Sequence, residues 1–169
     1  MKPIIVDAMG GDYAPAEAVA GIAEYARENP ETPVVLVGNE PEIAGVLKQH
    51  MSGGFGKVSI RHAADKIGMC EDVKSLRKKK ESSMSVGVKM VKEGEGSAFV
   101  SLGNTAATVA LCHITWGLLK GVSRAGIAIP IPRVGGMTLA IDMGANVNSK
   151  PDHLFDLSLI HISEPTRPY

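Results

Sequence analysis

The sequence predicts an α/β fold, a parallel or mixed sheet with helices on both faces, and three observations carry that reading. Short apolar runs of strand length recur along the chain, each stopped by Gly, Pro or Asp. Between most of them lie stretches with apolar residues at helical spacing. The loops that follow the strands are rich in Gly, Asn and carboxylates, as at the carboxyl ends of parallel strands. With 169 residues and 44% hydrophobic content, the chain can bury one core, enough for one domain or a little more.

The elements follow in order. Pro3 to Val6 is an apolar strand, and Pro15 to Glu28 is a helix with Ala18, Val19, Ile22, Ala23 and Ala26 on one side. Pro33 to Val37 is a continuous apolar run ended by Gly38, the pattern of a strand buried on both faces. A helix from about Pro41 carries Ile43, Val46 and Leu47 at helical spacing and ends at Ser52-Gly53-Gly54. Val58 to Ile60 is a third strand. After a long connection, Ser83 to Lys92 is a helix with Met84, Val88 and Val91 inward, closed by Gly94 and Gly96. Ala98 to Val100 is a strand and Asn104 to Leu119 an apolar helix. Ile127 to Ile131 and Thr138 to Ile141 are the last strands, each ending in Pro or Gly.

Composition narrows the function. Basic and acidic residues balance at 18 each, so the basic excess of a nucleic-acid binder is missing. Aromatics make up 4%, too few for base-stacking platforms. No apolar run is long enough to cross a bilayer, and the N-terminus enters a strand at once, without the pattern of a signal peptide. These features predict a cytoplasmic protein. Cys70 and Cys112 form neither a disulfide framework nor a paired ligand spacing, so no metal site is expected. Cys112 and His113 are adjacent, but helix neighbours point about 100° apart, which favours a packed cysteine over a nucleophile beside its base.

Four segments collect the polar chemistry. Asp7-Ala8-Met9-Gly10-Gly11-Asp12 follows the first strand, with two glycines between carboxylates; this is either a ligand corner or ordinary turn chemistry. Ser101-Leu102-Gly103-Asn104-Thr105 follows the fourth strand. There Asn104 or Thr105 opens a helix whose free N–H groups form an anion site or a plain N-cap, and Gly103 lets an anion come close. Asp142-Met143-Gly144-Ala145-Asn146 repeats the pattern at the end of the last strand. The stretch from Ser75 to Met84 reads SLRKKKESSM. Its cations Arg77, Lys78, Lys79 and Lys80 form either a solvated face or the approach to a phosphate, or to an acidic protein partner, at Ser82 and Ser83.

IIVDAMGGDYAP, SLRKKKESSMSVGVKMVKEG, VSLGNTAATVA and IDMGANVNSKPDHL, in this order and spacing, resemble the N-terminal half of the bacterial phosphate acyltransferase family, PlsX, from Met1 to about Asp156. Ala106 stands where that family usually has glycine, and Leu102 where a smaller residue is common. The resemblance implies a Rossmann-like fold similar to phosphate acetyltransferases and the isocitrate dehydrogenase fold. It implies transfer of a fatty acyl group from acyl carrier protein to inorganic phosphate, giving the acyl phosphate used early in phospholipid synthesis. It further implies a homodimer, no metal or other cofactor, and peripheral membrane association through the half that this chain lacks.

Phosphate is itself a nucleophile, so such an enzyme must bind it, bring it to the thioester and stabilise the oxyanion. On this reading Asn104, Thr105 and Ser83 with Lys79 hold phosphate, while Asn146 or loop N–H groups stabilise the tetrahedral intermediate. Gly10, Gly11, Ser82, Gly103, Asp142 and Gly144 complete the substrate site. Asp7 and Asp12 repel an anion and so orient the glycine loop or a lysine. Arg77 and Lys78 meet the acidic carrier protein.

Leu157 to Arg167 reads LSLIHISEPTR, which resembles the codon-by-codon translation of a transposase adapter used in sequencing libraries, with Pro168 and Tyr169 as read-through; the other reading is a natural tail with two prolines. His161 and Glu164 are therefore set aside as site residues. The expectation is a truncated chain, about half of a longer protein, inactive and poorly soluble on its own. Two other readings share the alternation of strands and helices: a decarboxylating dehydrogenase, although no Gly-x-Gly-x-x-Gly follows the first strand, and a phosphate-binding module without turnover.

Overall fold

The computed structural model describes residues 1–51, 53–72, 76, 78–142 and 150–163. The chain divides into two compact units, Met1–Thr115 and Trp116–Tyr169.

The first unit is built on β1 (Ile4–Asp7), α1 (Ala16–Glu28), β2 (Val34–Gly38), α2 (Glu40–His50), β3 (Val58–His62), α3 (Ser83–Lys92), β4 (Ala98–Ser101) and α4 (Thr105–Trp116). Its four strands are all parallel, in the order β3-β2-β1-β4. The register sets Asp7, the last residue of β1, beside Val37 on one side and Ser101 on the other. This is a Rossmann-like α/β arrangement, with boundaries close to those the periodicity predicts. β3 runs two residues past Ile60, because Arg61 and His62 still pair with Val37 and Gly38. α4 stops at Trp116 rather than Leu119, where Gly117 turns to φ +84 and ends the helix.

Strand alternation divides the core. On one face Val6, Ala8, Val34, Leu36 and Val58 pack beneath Val19 of α1 and Ile43 and Leu47 of α2. On the other, Ile5 and Val37 meet Met90, Val86 and Val91 of α3 and Phe99 of β4. A further cluster of Met84, Val88, Ala107 and Leu111 joins α3 to α4 and takes in Ile67 and Leu76 from the long connection. Full burial of each such side chain is worth about 1.5–3 kcal/mol. The approach of α3 requires Gly87, where a Cβ would lie 2.5 Å from Phe99 Cε2.

The second unit departs from the sequence expectation of one continuing series of strands. Among the described residues β5 (Ala128–Arg133) and β6 (Gly136–Ile141) pair only with each other, as an antiparallel hairpin. Two residues, Val134 and Gly135, connect them. A parallel pair needs a crossover of a dozen residues or more, so this connection permits only the antiparallel form. Pro130 and Pro132 also remove two donors from β5, which suits a strand at an edge. A helix that the sequence reading did not anticipate, α5 (Pro151–Ser163), follows. Its buried Asp156 accepts the Ser123 N–H at 3.0 Å and the Ser123 hydroxyl, and those bonds hold its carboxyl below the ordinary range.

Candidate functional site

The direction of chain progression across the first sheet reverses at β1: β2 and β3 extend to one side of it, β4 lies on the other. At such a switch point the loops leaving the two strands part in opposite directions and open a crevice at the carboxyl ends, the place where open α/β sheets take ligands. Here those loops are Ala8 to Asp12 after β1 and Leu102 to Asn104 after β4. They touch through their glycines. A Cβ on Gly10 would lie 2.7 Å from the Gly103 nitrogen, and one on Gly103 would lie 3.3 Å from Gly10 Cα. Gly11, at φ +99, takes a backbone conformation that L side chains rarely adopt.

Asp7 fixes both loops from below. It is 1% exposed. Its Oδ1 accepts the Met9 N–H at 3.1 Å and its Oδ2 accepts the Ser101 hydroxyl at 2.7 Å; Ser101 Oγ in turn accepts the Gly103 N–H at 3.0 Å. The carboxylate thus spends both oxygens within the protein, tying the turn after β1 to the turn after β4. Asp12 lies beyond Gly11 and is exposed.

Asn104 opens α4 and does two jobs. Its Oδ1 caps the helix by accepting the Ala107 N–H at 3.0 Å, and its Nδ2 donates to the carbonyls of Met69 at 2.8 Å and Glu71 at 3.2 Å. Thr105 and Ala106, the first two helical residues, are exposed. As first-turn residues their N–H groups have no carbonyl partner inside the helix, so the positive helix end is presented beside Gly103.

Lys79 reaches the same connecting segment. Its Nζ donates to Glu71 Oε1 at 2.6 Å and to the Lys66 carbonyl at 2.8 Å, and stands 3.6 Å from Asp65 Oδ1. The hydrogen bond to Glu71 above all raises its pKa, so the ammonium is charged at neutral pH. Ser82 caps α3, accepting the Ser85 N–H at 3.3 Å. Ser83 is buried and its N–H donates to the Asp65 carbonyl at 2.9 Å.

The structure therefore brings Asp7, Gly10, Gly11, Gly103, Asn104 and Thr105 together at the carboxyl ends of β1 and β4, and joins Lys79 to Asn104 through residues 65–71. Lys78 is exposed. Asp142 belongs to the second unit, where its Oδ1 accepts the Ile127 N–H at 3.0 Å. Arg77, Gly144 and Asn146 lie outside the described residues. Three participants escaped the sequence reading as individual site residues. Ser101 is recoverable from register, since it pairs with Asp7 once β1 and β4 are neighbours. Asp65 and Glu71 lie in a connection without periodicity, and no spacing marks them.

Cys112 is half-buried and its thiol is pushed up by desolvation, away from the reactive thiolate. Among the described residues, no group of three or more His, Cys, Asp or Glu is placed to hold a metal ion, and no helix is long and apolar enough to cross a membrane. A separate cavity of about 800 Å³ lies against α3, lined in part by Arg61, Lys80, Lys89, Val86, Met90 and Leu111, so Lys80 of the cationic run faces it.

Comparison with known proteins adds a family likeness. A family model described as "Fatty acid synthesis protein" matches residues 2–163. A protein of Carboxydothermus hydrogenoformans named phosphate acyltransferase is 40% identical over 157 residues, which cover 93% of this chain and 47% of that protein. A protein of the same name from Magnetococcus marinus is 42% identical over 158 residues, covering 93% of this chain and 45% of that protein. Another from Paraburkholderia xenovorans is 36% identical, covering 92% and 42% respectively. The chain spans about half the length of the curated relatives it matches.

Proposed function

The chain belongs to the fatty acid synthesis protein family, and on that premise we propose that it is the N-terminal part of a phosphate acyltransferase. The reaction moves a fatty acyl group from acyl carrier protein to inorganic phosphate. A phosphate oxygen attacks the thioester carbonyl carbon, a tetrahedral oxyanion forms, and its collapse expels the carrier thiolate, which takes a proton and leaves acyl phosphate. The product feeds phospholipid synthesis.

The observation that carries this reading is the switch point between β1 and β4, where Gly10 and Gly103 let the two loops close against each other beside the N-terminus of α4. There the N–H groups of Thr105 and Ala106, the Thr105 hydroxyl and Lys79 bind phosphate, with Ser82 and Ser83 supporting the Lys79 side. Asn104 fixes the helix start, and Asp7 and Asp12 orient the glycine loop. Asn146, with Asp142 and Gly144 nearby in sequence, serves the oxyanion. Arg77 and Lys78 meet the acidic carrier protein. The complete protein acts as a cytoplasmic homodimer associated peripherally with the membrane, and Leu157 to Tyr169 is adapter-derived sequence, which resequencing of the locus without transposase adapters tests.

The complete gene product, given acyl carrier protein loaded with a fatty acid, should form acyl phosphate, trapped as its hydroxamate. Asn104→Ala should raise the apparent KM for phosphate about tenfold or more, because the cap and the clamp on residues 69–71 are lost together. Absence of the product, or an unchanged phosphate KM in the variant, refutes the proposal.

A further inference from the structure

The ammonium of Lys79 and the amide of Asn104 converge on one residue. Glu71 receives Lys79 at its side-chain Oε1 (2.6 Å) and Asn104 at its backbone carbonyl (3.2 Å), so its carboxylate is held next to the start of α4. A lysine ammonium has three protons to give. Two are engaged by Glu71 Oε1 and the Lys66 carbonyl, and Asp65 Oδ1 stands at 3.6 Å. Lys79 as it stands has little left to offer an anion unless one of these partners yields.

We propose that Glu71 is an internal competitor for the substrate anion: its carboxylate and phosphate contend for the same Lys79 ammonium, and this contest sets the affinity of the site for phosphate. The inference rests on the reading of Lys79 as a phosphate ligand. Glu71 is the partner suited to yield, because its own segment does not depend on Lys79. The Glu71 N–H donates to the Gly68 carbonyl (3.1 Å), and the Gly68 N–H donates to Glu71 Oε1 (3.0 Å), which closes the turn on itself. Asn104 still holds the Met69 and Glu71 carbonyls.

On the other side, the backbone of Lys79 is anchored to α3, its carbonyl accepting the Ser82 N–H (3.2 Å) and the Ser85 hydroxyl (3.0 Å). Only the Lys79 side chain has to move. Both side chains are in reach of solvent, at 27% and 31% exposure. Phosphate, with more charge and more acceptor oxygens than a carboxylate, replaces it on the ammonium without unfolding any element.

Glu71→Gln keeps an oxygen for the Gly68 N–H and removes the competing charge. In the complete gene product it should lower the KM for phosphate about twofold to fivefold, the size of a partly exposed charge pair. Combined with Lys79→Met, the same substitution should have no effect on that KM. Calorimetric binding of inorganic phosphate should follow the same pattern. A raised or unchanged phosphate KM in Glu71→Gln, or an equal shift with and without Lys79, overturns the proposal. If calorimetry gives the pattern but no acyl phosphate forms, the competition stands and the acyl-transfer reading falls. If acyl phosphate forms and the pattern is missing, the competition alone falls.

Discussion

Gly10 occupies a position where any side chain collides with fixed atoms. A Cβ there would come within 2.7 Å of both Asp7 Oδ2 and the Gly103 nitrogen. Neither can retreat freely: Asp7 is bound to Met9 and Ser101, and the Gly103 N–H is bound to Ser101 Oγ. Gly10→Ala must therefore push the two loops apart, at a cost of about 1–3 kcal/mol. The expected outcome is a lowered thermal midpoint together with phosphate binding weakened at least tenfold, read by a melt and a titration on the same sample. Sequence alone marked Gly10 and Gly103 as permissive. Their contact with each other was not legible, because it depends on which strands are neighbours.

At the scale of elements, the helices that flank the crevice start at side-chain caps, Ser82 for α3 and Asn104 for α4. Ser82→Ala removes the acceptor for the Ser85 N–H and should cost about 1 kcal/mol, measurable in a denaturant titration. Asn104 differs, because its amide also holds another segment, so its loss reaches beyond the helix. The strands and helices of the first unit were legible because apolar periodicity and glycine stops are local properties of the chain. The hairpin was not. Strand-like apolar runs look the same whether they join a sheet or fold back on each other, and only the two-residue connection decides between them. Glu71 and Asp65 were illegible for a different reason: they meet Lys79 through irregular backbone, which carries no period.

For the molecule as a whole, the two units differ in how their backbone is protected. β1 and β2 are paired on both edges and covered by side chains from α1, α2 and α3, whereas every residue of β5 is exposed. Hydrogen exchange should show the amides of Ile5, Val6 and Leu36 opening only with global unfolding, and those of β5 exchanging at least about a hundredfold faster. Equal protection in the two units would contradict this. The strand order β3-β2-β1-β4 also has a consequence in time. β1 meets β2 soon after both are made, but Asp7 finds Ser101 only across a separation of 94 residues. Closing so long a loop comes late and slowly in folding. During synthesis on the ribosome, a nascent chain that has passed its third strand holds a nearly complete sheet and no crevice. The site is assembled by the fourth and final strand of that sheet, so a chain stalled before Ser101 folds its scaffold without gaining the place where an anion would bind.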